Sequence, residues 1–218
     1  MSGPADGPLD ALRRADPVLG RIIDEASPVA MDSWRARWAP GDRFGMLARV
    51  ITGQQISARA ATAIFARLRD LMGHDAPADA IARASDEELR AAGLSRGKIA
   101  SLRDLAERTL DGRLALDDLD ALPDDEVAAQ LVAVRGIGPW TADLFLLGAL
   151  GREDVLPAAD LRLRSVVRAA YGLDEMPTER EVRELGERWR PHRSLATAYL
   201  YSWRRDPRSG SGARGARA

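Results

Sequence analysis

The stretch LVAVRGIGPWTADLFLLGALGREDVLPAADLRLRSVVR, from Leu131 to Arg168, decides the fold prediction. It places a glycine turn, Gly136-Ile137-Gly138, between two apolar segments, and a single carboxylate, Asp160, just before a further helical segment. Glycines at both ends of the turn allow positive φ and leave its outer face without side chains. Backbone N–H groups at the start of the following helix would then form a phosphate site. The pattern favours contact with a nucleic-acid backbone, although an ordinary corner between two helices has the same residues.

The composition narrows the classes of protein and of site. With 218 residues, of which 45% are hydrophobic and 30% charged, the chain can form one large domain or two small lobes. The absence of cysteine excludes disulfides, thiolate zinc sites, cysteine-ligated iron–sulfur clusters and a cysteine nucleophile. No apolar run approaches about 18 residues and the N-terminus lacks the apolar core of a signal peptide. We therefore expect a cytoplasmic protein, associated with a bacterial nucleoid only through DNA, that makes no membrane contact.

The charge is unevenly distributed along the chain. Residues 189–218 contain seven arginines and one aspartate, about +6, so the net charge of −1 leaves roughly −7 for the remainder. A basic end on an acidic body is typical of a nucleic-acid-binding arm, and a solvated tail would have the same composition. We expect residues 1–8 and 206–218 to be disordered, because they offer little to bury.

Apolar residues recur with helical spacing along most of the chain, and no segment alternates convincingly with the period of a strand. Capping boxes begin at Ser85 and Thr178, and Pro17 suits a first helical turn. The sequence therefore predicts an all-α fold with two helical lobes and a cleft between them. The predicted lobes are residues 9–42 together with 158–205, and residues 43–157, which include the hairpin at 131–150.

Three separated motifs resemble those of one protein family. The pattern L-x-x-V-x-G-I-G-x-x-T-A at 131–142, followed by a loop with Gly and Pro and by Asp160, resembles the helix-hairpin-helix-GPD superfamily of DNA glycosylases. The sequences ITGQQIS at 51–57 and WRPHRS at 189–194 resemble two motifs of its alkylation-repair branch, 3-methyladenine DNA glycosylase II. The resemblance covers roughly residues 44–203. It implies a catalytic cleft between the lobes, base flipping from double-stranded DNA that contains a damaged base, and action as a monomer in base excision repair.

Asp160 matches the catalytic aspartate of that family. By itself a lone Asp before a helix is more often an N-cap, and the two roles are compatible because a cap holds an ionised carboxylate rigidly. Breaking an N-glycosidic bond builds positive charge on the deoxyribose, which a fixed carboxylate stabilises while it orients or deprotonates water. Bases such as 3-methyladenine and 7-methylguanine are already cationic, so they leave without a strong general acid.

Trp140 stands where relatives that also cut the strand carry a lysine for Schiff-base formation. The resemblance therefore implies a hydrolase without lyase activity. It also assigns Trp140, Tyr201, Leu144 and Leu161 to the base pocket, with Trp140 facing an electron-poor flipped base. A core tryptophan that packs the hairpin is the alternative. The only lysine, Lys98, falls in another motif, and we expect it on a helix surface near phosphate or solvent.

A side chain must fill the gap that an extruded base leaves in the duplex. The resemblance places this wedge at Gln55, with Gln54 and Ile56 beside it. The alternative is that the two glutamines cap the helix end and close the interface between the lobes, which we expect for Gln54.

The remaining expectations concern the hairpin and the overall function. DNA phosphate contacts are expected from Gly136, Ile137, Gly138 and Thr141. The family's hairpin often coordinates a monovalent cation through backbone carbonyls, which match Val132, Val134 and Ile137 here; beyond such a Na⁺ or K⁺ ion no cofactor is expected. Two alternative functions stay open: a glycosylase for another damaged or mismatched base, and a non-catalytic helix-hairpin-helix DNA-binding protein.

Overall fold

The computed structural model describes residues 7–36, 42–73 and 77–203. Within these ranges the chain forms thirteen α-helices, two 3-10 helices and no strand, which confirms the all-α prediction. The α-helices are α1 (Pro8–Ala15), α2 (Pro17–Glu25), α3 (Met31–Arg35), α4 (Arg43–Gly53), α5 (Ala58–Met72), α6 (Pro77–Arg83), α7 (Asp86–Ala91), α8 (Arg96–Leu110), α9 (Asp124–Val132), α10 (Pro139–Gly148), α11 (Leu161–Tyr171), α12 (Glu179–Gly186) and α13 (Arg193–Ser202). The 3-10 helices are Leu119–Ala121 and Glu187–Trp189. No helix in the described ranges is both long and apolar enough to cross a membrane.

The described residues divide into two compact units. The first contains the residues up to Met31 and those from Leu156 onward, and the second is Asp32–Val155. The sequence-based division placed these crossings after residues 42 and 157. Within the second unit the guanidinium of Arg35 lies close to Gly151, where an added Cβ would be 3.4 Å from its Nη1.

In the first unit a buried carboxylate, Asp16, joins distant parts of the chain. Its Oδ1 accepts the N–H groups of Val18 and Leu19 at 3.0 and 3.1 Å and thereby caps α2. Its Oδ2 accepts the Tyr171 hydroxyl at 2.6 Å and the Trp189 indole N–H at 2.9 Å. Because Asp16 is only 1% exposed, these donors take the place of water around the charge.

Several helix starts follow the local sequence chemistry. Ser85 and Thr178 form reciprocal capping boxes with Glu88 and Glu181, and Pro17 begins α2, as predicted. In both boxes the backbone N–H and then the hydroxyl of the cap residue lower the pKa of the glutamate.

One expected boundary differs at the N-terminus. Disorder was predicted for residues 1–8, but Pro8 is the first residue of α1. A proline suits this position because the N–H it lacks would have no partner within the helix. Residues 1–6 and the predicted disordered tail at 206–218 lie outside the described residues.

The second unit is built around α10, which is buried on most of its surface. Its buried residues are Thr141, Ala142, Leu144, Phe145, Leu146 and Leu147. It packs against α9 and α4, so the turn that joins α9 to α10 starts from a fixed core. The hairpin is therefore held on rigid elements at both ends.

Candidate active site and nucleic-acid interface

The turn between α9 and α10 is a tight hairpin with two different glycines. Gly136 has φ of 79°, and a Cβ on it would lie 2.5 Å from the Ser101 hydroxyl. Gly138 has φ of −109° and ψ of 177°, and a Cβ there would meet nothing within 4 Å. Positive φ, which the sequence allowed at both glycines, thus occurs only at Gly136, because Gly138 is the N-cap of α10 and needs an extended backbone.

Two side chains from other helices hold the hairpin backbone. The amide Nε2 of Gln54 donates to the Gly136 carbonyl at 2.8 Å. The backbone N–H of Arg135 donates to Oδ2 of Asp104 at 2.7 Å. The turn is therefore tied to the end of α4 and to the middle of α8. Neither contact could be predicted from the sequence, since both depend on how these helices pack.

The hairpin presents open backbone donors. α10 begins without a side-chain cap, and no group in the described ranges accepts the N–H of Gly136 or Gly138. Open N–H groups at the positive end of a helix dipole form an anion site. Thr141 differs, because its side chain is 2% exposed and its N–H donates to the Gly138 carbonyl at 3.0 Å. The phosphate contact expected from Thr141 stays a prediction.

The backbone carbonyls assigned to a monovalent cation also have lone pairs that can accept a further contact. The Val134 carbonyl accepts the Ile137 N–H at 3.1 Å, which leaves it one lone pair. Within the described part of the chain no backbone N–H donates to the carbonyl of Val132 or Ile137. The cation site at these three carbonyls stays a prediction. Val134 and Ile137 are themselves buried and anchor the turn.

The loop after α4 carries the residues predicted to form the wedge. Gln54 is the C-cap residue of α4, and its side chain is engaged by the hairpin. Gln55 is exposed and has φ of 58°, the only positive φ at a non-glycine residue in the described ranges. A left-handed backbone costs an ordinary residue about 1 kcal/mol. Ile56 beside it is 38% exposed. The side chain of Gln55 is thus exposed, whereas the side chain of Gln54 is hydrogen-bonded to the hairpin.

Lys98 lies in the first turn of α8 and is partly exposed, as expected for a helix surface. Its ammonium donates to the Thr52 carbonyl at 2.6 Å, at the C-terminal end of α4, and burial lowers its pKa. The contact with the Thr52 carbonyl was not predicted. The negative end of the α4 dipole provides the physical reason, because a cation there satisfies a carbonyl that the helix leaves open.

Asp160 is the N-cap of α11, as the sequence predicted. Its Oδ1 accepts the Leu163 N–H at 2.8 Å, and the residue is 9% exposed. Leu161, the next residue, is 68% exposed, so an apolar residue next to the carboxylate is accessible to solvent.

Tyr201 and Arg162 complete the surroundings of Asp160 within the first unit. Burial, followed by the negative charge of Asp160 and a hydrogen bond with it, raises the pKa of the Tyr201 hydroxyl. The Arg162 guanidinium lies 5.2 Å from the centre of the Tyr201 ring, and its Nη2 donates to the Tyr201 carbonyl at 3.2 Å. Arg162 was absent from the sequence-based site, because a contact between α11 and α13 leaves no local pattern.

The predicted base-pocket residues are divided between the units. Leu161 and Tyr201 belong to the first unit with Asp160, while Trp140 and Leu144 belong to the second with the hairpin. Trp140 is half-buried in the first turn of α10, and Leu144 is 3% exposed within the same helix.

The chain belongs to the HhH-GPD superfamily of base excision DNA repair proteins, whose family model matches residues 48–191. It is 34% identical over 158 residues to DNA-3-methyladenine glycosylase 1 of Schizosaccharomyces pombe, which covers 71% of this chain and 69% of that protein. It spans smaller shares, between 35% and 57%, of other curated relatives that it matches.

Solved structures show the same fold. The S. pombe 3-methyladenine DNA glycosylase in complex with abasic DNA matches with a TM-score of 0.77 and 29% identity, over 89% of this chain and 94% of that one. A DNA-3-methyladenine glycosidase from Bacillus halodurans matches with a TM-score of 0.77 and 32% identity, over 90% of this chain and 88% of that one.

Proposed function

We propose that this protein is a monofunctional DNA glycosylase that hydrolyses the N-glycosidic bond of alkylated bases in double-stranded DNA, acting as a monomer. The observation that carries the proposal is Asp160, a nearly buried carboxylate held at the start of α11. The names of the relatives, which are 3-methyladenine DNA glycosylases, support bases of the 3-methyladenine and 7-methylguanine type as substrates.

Asp160 supplies the chemistry. The Leu163 N–H holds one carboxylate oxygen, so the charge is in place before the reaction begins. As the bond to the base breaks, positive charge grows on the deoxyribose, and the carboxylate stabilises it while it orients or deprotonates the attacking water. A cationic base departs as a neutral molecule and needs no strong acid.

Two observations support hydrolysis without strand cleavage. Trp140 occupies the position of the Schiff-base lysine in lyase relatives, and an indole cannot form that adduct. The only lysine, Lys98, donates its ammonium to the Thr52 carbonyl. No lysine of the chain is therefore assigned as the nucleophile that attacks the deoxyribose.

DNA binding is assigned to the second unit. The open N–H groups of Gly136 and Gly138 would contact phosphate, the carbonyls of Val132, Val134 and Ile137 would hold a Na⁺ or K⁺ ion beside it, and Gln55 would fill the gap in the duplex. Backbone contacts of this kind predict binding that is independent of sequence and weakens with salt.

The deciding experiment compares base release from methylated duplex DNA by the wild type and by Asp160→Asn. Asparagine is also a good N-cap, so the fold is expected to remain. Loss of the charge is expected to reduce the rate by about 100-fold or more, as removal of one electrostatic stabiliser does. The measurement is chromatography of released bases under single-turnover conditions, with strand cleavage scored on the same samples.

Two controls accompany that assay. Duplex affinity should be similar for the wild type and Asp160→Asn, which would separate chemistry from binding. A lesion panel with hypoxanthine and ethenoadenine tests the alternative substrate class, and the non-aromatic Leu144 and Leu161 argue against the full substrate range of the larger relatives. Equal base release by the two proteins would refute the catalytic assignment.

A further inference from the structure

Arg162 carries a positive charge at an unfavourable place, the first turn of α11, two residues after Asp160. A cation there faces the positive end of the helix dipole, and α11 has no acidic residue in its first turn to offset it. Arg164 in the same turn has a structural partner, because its Nε donates to the Pro177 carbonyl at 2.7 Å. The helix itself therefore gives no reason for the charge of Arg162.

Two contacts hold the guanidinium of Arg162 in one orientation. It lies over the ring of Tyr201, 5.2 Å from the ring centre, and its Nη2 donates to the Tyr201 carbonyl at 3.2 Å. Tyr201 is only 6% exposed, so the ring against which the guanidinium lies is itself fixed. An arginine that is already ordered loses little conformational freedom when it binds a ligand.

Most of the hydrogen-bonding capacity of Arg162 remains available. A guanidinium offers five N–H donors. Within the described ranges only the Tyr201 carbonyl accepts a hydrogen bond from this one, and no carboxylate there forms an ion pair with it. By contrast, Arg180 and Arg183 on α12 each pair with a glutamate one turn away. Because Arg162 is also exposed, it presents an ordered and uncompensated positive charge to solvent.

The chemistry of this position indicates a phosphate of the DNA backbone as the partner of Arg162. The planar guanidinium matches the oxygens of a phosphate, to which it can donate two parallel hydrogen bonds. A deoxyribose placed against the Asp160 carboxylate carries one phosphate on its 5′ side and another on its 3′ side. Since Arg162 is only about 3 Å from Asp160 along the helix axis, one of these phosphates comes within reach of its side chain.

We propose that Arg162 binds a phosphate next to the nucleotide whose base is removed, so that the first unit makes its own contact with the DNA backbone. This contact positions the deoxyribose against Asp160, in addition to the contacts assigned to the hairpin in the second unit. The inference rests on the proposed function, because it places the target nucleotide at Asp160.

The salt dependence of DNA binding tests the charge of Arg162. The probe is a duplex with a central, stable abasic-site analogue, and fluorescence anisotropy measures its affinity. For Arg162→Gln, the slope of log affinity against log salt concentration is expected to become less negative by about 0.9, which corresponds to about 8-fold weaker binding at about 0.1 M salt. Arg162→Lys should retain the slope but bind more weakly than the wild type, since an ammonium lacks the planar pair of donors.

Arg168→Gln is the matched control, because it removes the same charge from the same helix. Arg168 is exposed in the last turn of α11, about 9 Å from Arg162 along the axis. This variant should bind with the affinity and the slope of the wild type. Denaturant unfolding of all three variants measures separately any loss of packing against Tyr201.

Neutralising single phosphates locates the contact without changing the protein. A methylphosphonate on the 5′ or the 3′ side of the abasic-site analogue removes one backbone charge. The wild type should lose about 8-fold in affinity at one of the two positions. Arg162→Gln should lose nothing further at that position, because the interaction has already been removed.

The outcomes separate this inference from the proposed function. A wild-type slope for Arg162→Gln, even with lower stability, would show that Arg162 only packs against Tyr201, and independent losses at both methylphosphonate positions would also overturn the contact. Neither result affects base release by the wild type. The glycosylase function fails instead if the wild type releases no base from any lesion, which the binding measurements do not decide.

Discussion

Asp160 shows how one hydrogen bond can serve both a fold and a reaction. The Leu163 N–H that completes the helix cap is the same group that fixes the carboxylate for the proposed chemistry. This arrangement could be predicted from the sequence, because a cap depends only on residues one turn apart. The contacts of Tyr201 and Arg162 could not, because they depend on the packing of α11 against α13.

Gln55 is the other residue whose own conformation is informative. Gln55→Gly is expected to leave the free energy of unfolding unchanged or higher, because glycine adopts φ near 58° without the cost of about 1 kcal/mol. Base release should nevertheless fall, because the side chain proposed to fill the gap in the duplex is gone. Chemical denaturation and the release assay measure the two effects.

Gln55→Asn is the matched control for that variant, since asparagine tolerates the left-handed region and retains a shorter amide. It should release base at a rate between those of the wild type and Gln55→Gly. Full release by Gln55→Gly would show that Gln55 is not the wedge.

At the scale of elements, the hairpin depends on two glycines for different reasons. Gly136→Ala is expected to lower the free energy of unfolding by about 2 kcal/mol or more, from the left-handed backbone and from the crowding against Ser101. Gly138→Ala, in extended backbone and open space, should change it by less than about 1 kcal/mol. Denaturant unfolding of the two variants provides the comparison.

A second-site change identifies the cause of the loss. Ser101→Ala removes the hydroxyl that lies 2.5 Å from the added Cβ, so it should restore part of the stability of Gly136→Ala. Equal destabilisation by both glycine variants would contradict the difference in backbone conformation.

The helices themselves were largely predictable, and their mutual contacts were not. The capping boxes at Ser85 and Thr178 and the start at Pro17 follow from neighbouring residues, and each is present. Lys98 shows the limit: its spacing placed it on a helix, but its partner is the carbonyl of Thr52 on α4. No periodicity within α8 encodes that acceptor.

At the scale of the whole molecule, the first and the last described residues belong to the same unit. Asp16 accounts for much of this closure, because it joins α2 to Tyr171 and Trp189. The aspartate before Pro17 was predictable as a cap site in principle, but the two aromatic donors come from residues more than a hundred positions later.

The same cluster predicts how stability depends on alkaline pH. Burial, followed by the hydrogen bond to Asp16 and its charge, raises the pKa of Tyr171 above the ordinary value of about 10. The unfolded tyrosine loses its proton near that pH and the folded one keeps it. The stabilisation is therefore complete below about pH 10 and declines above it, by about 1.4 kcal/mol per pH unit.

Denaturant unfolding between pH 8 and 11 measures this effect. Tyr171→Phe is expected to be less stable at pH 8, because Asp16 loses a donor, but to lose stability less steeply above pH 10. Parallel curves for the two proteins would show that Tyr171 does not titrate with unfolding.

Because the ammonium of Lys98 is hydrogen-bonded to α4, the protein is also well suited to covalent trapping of adducts between a lysine and DNA. Borohydride captures an amine on an abasic sugar only where an imine has formed, and this chain contains a single lysine, whose ammonium is already engaged. In a Trp140→Lys variant, any trapped DNA adduct on a lysine outside position 98 would therefore map to the introduced residue. The path from a hydrolase to a strand-cutting enzyme could then be followed in a chain with almost no competing amines.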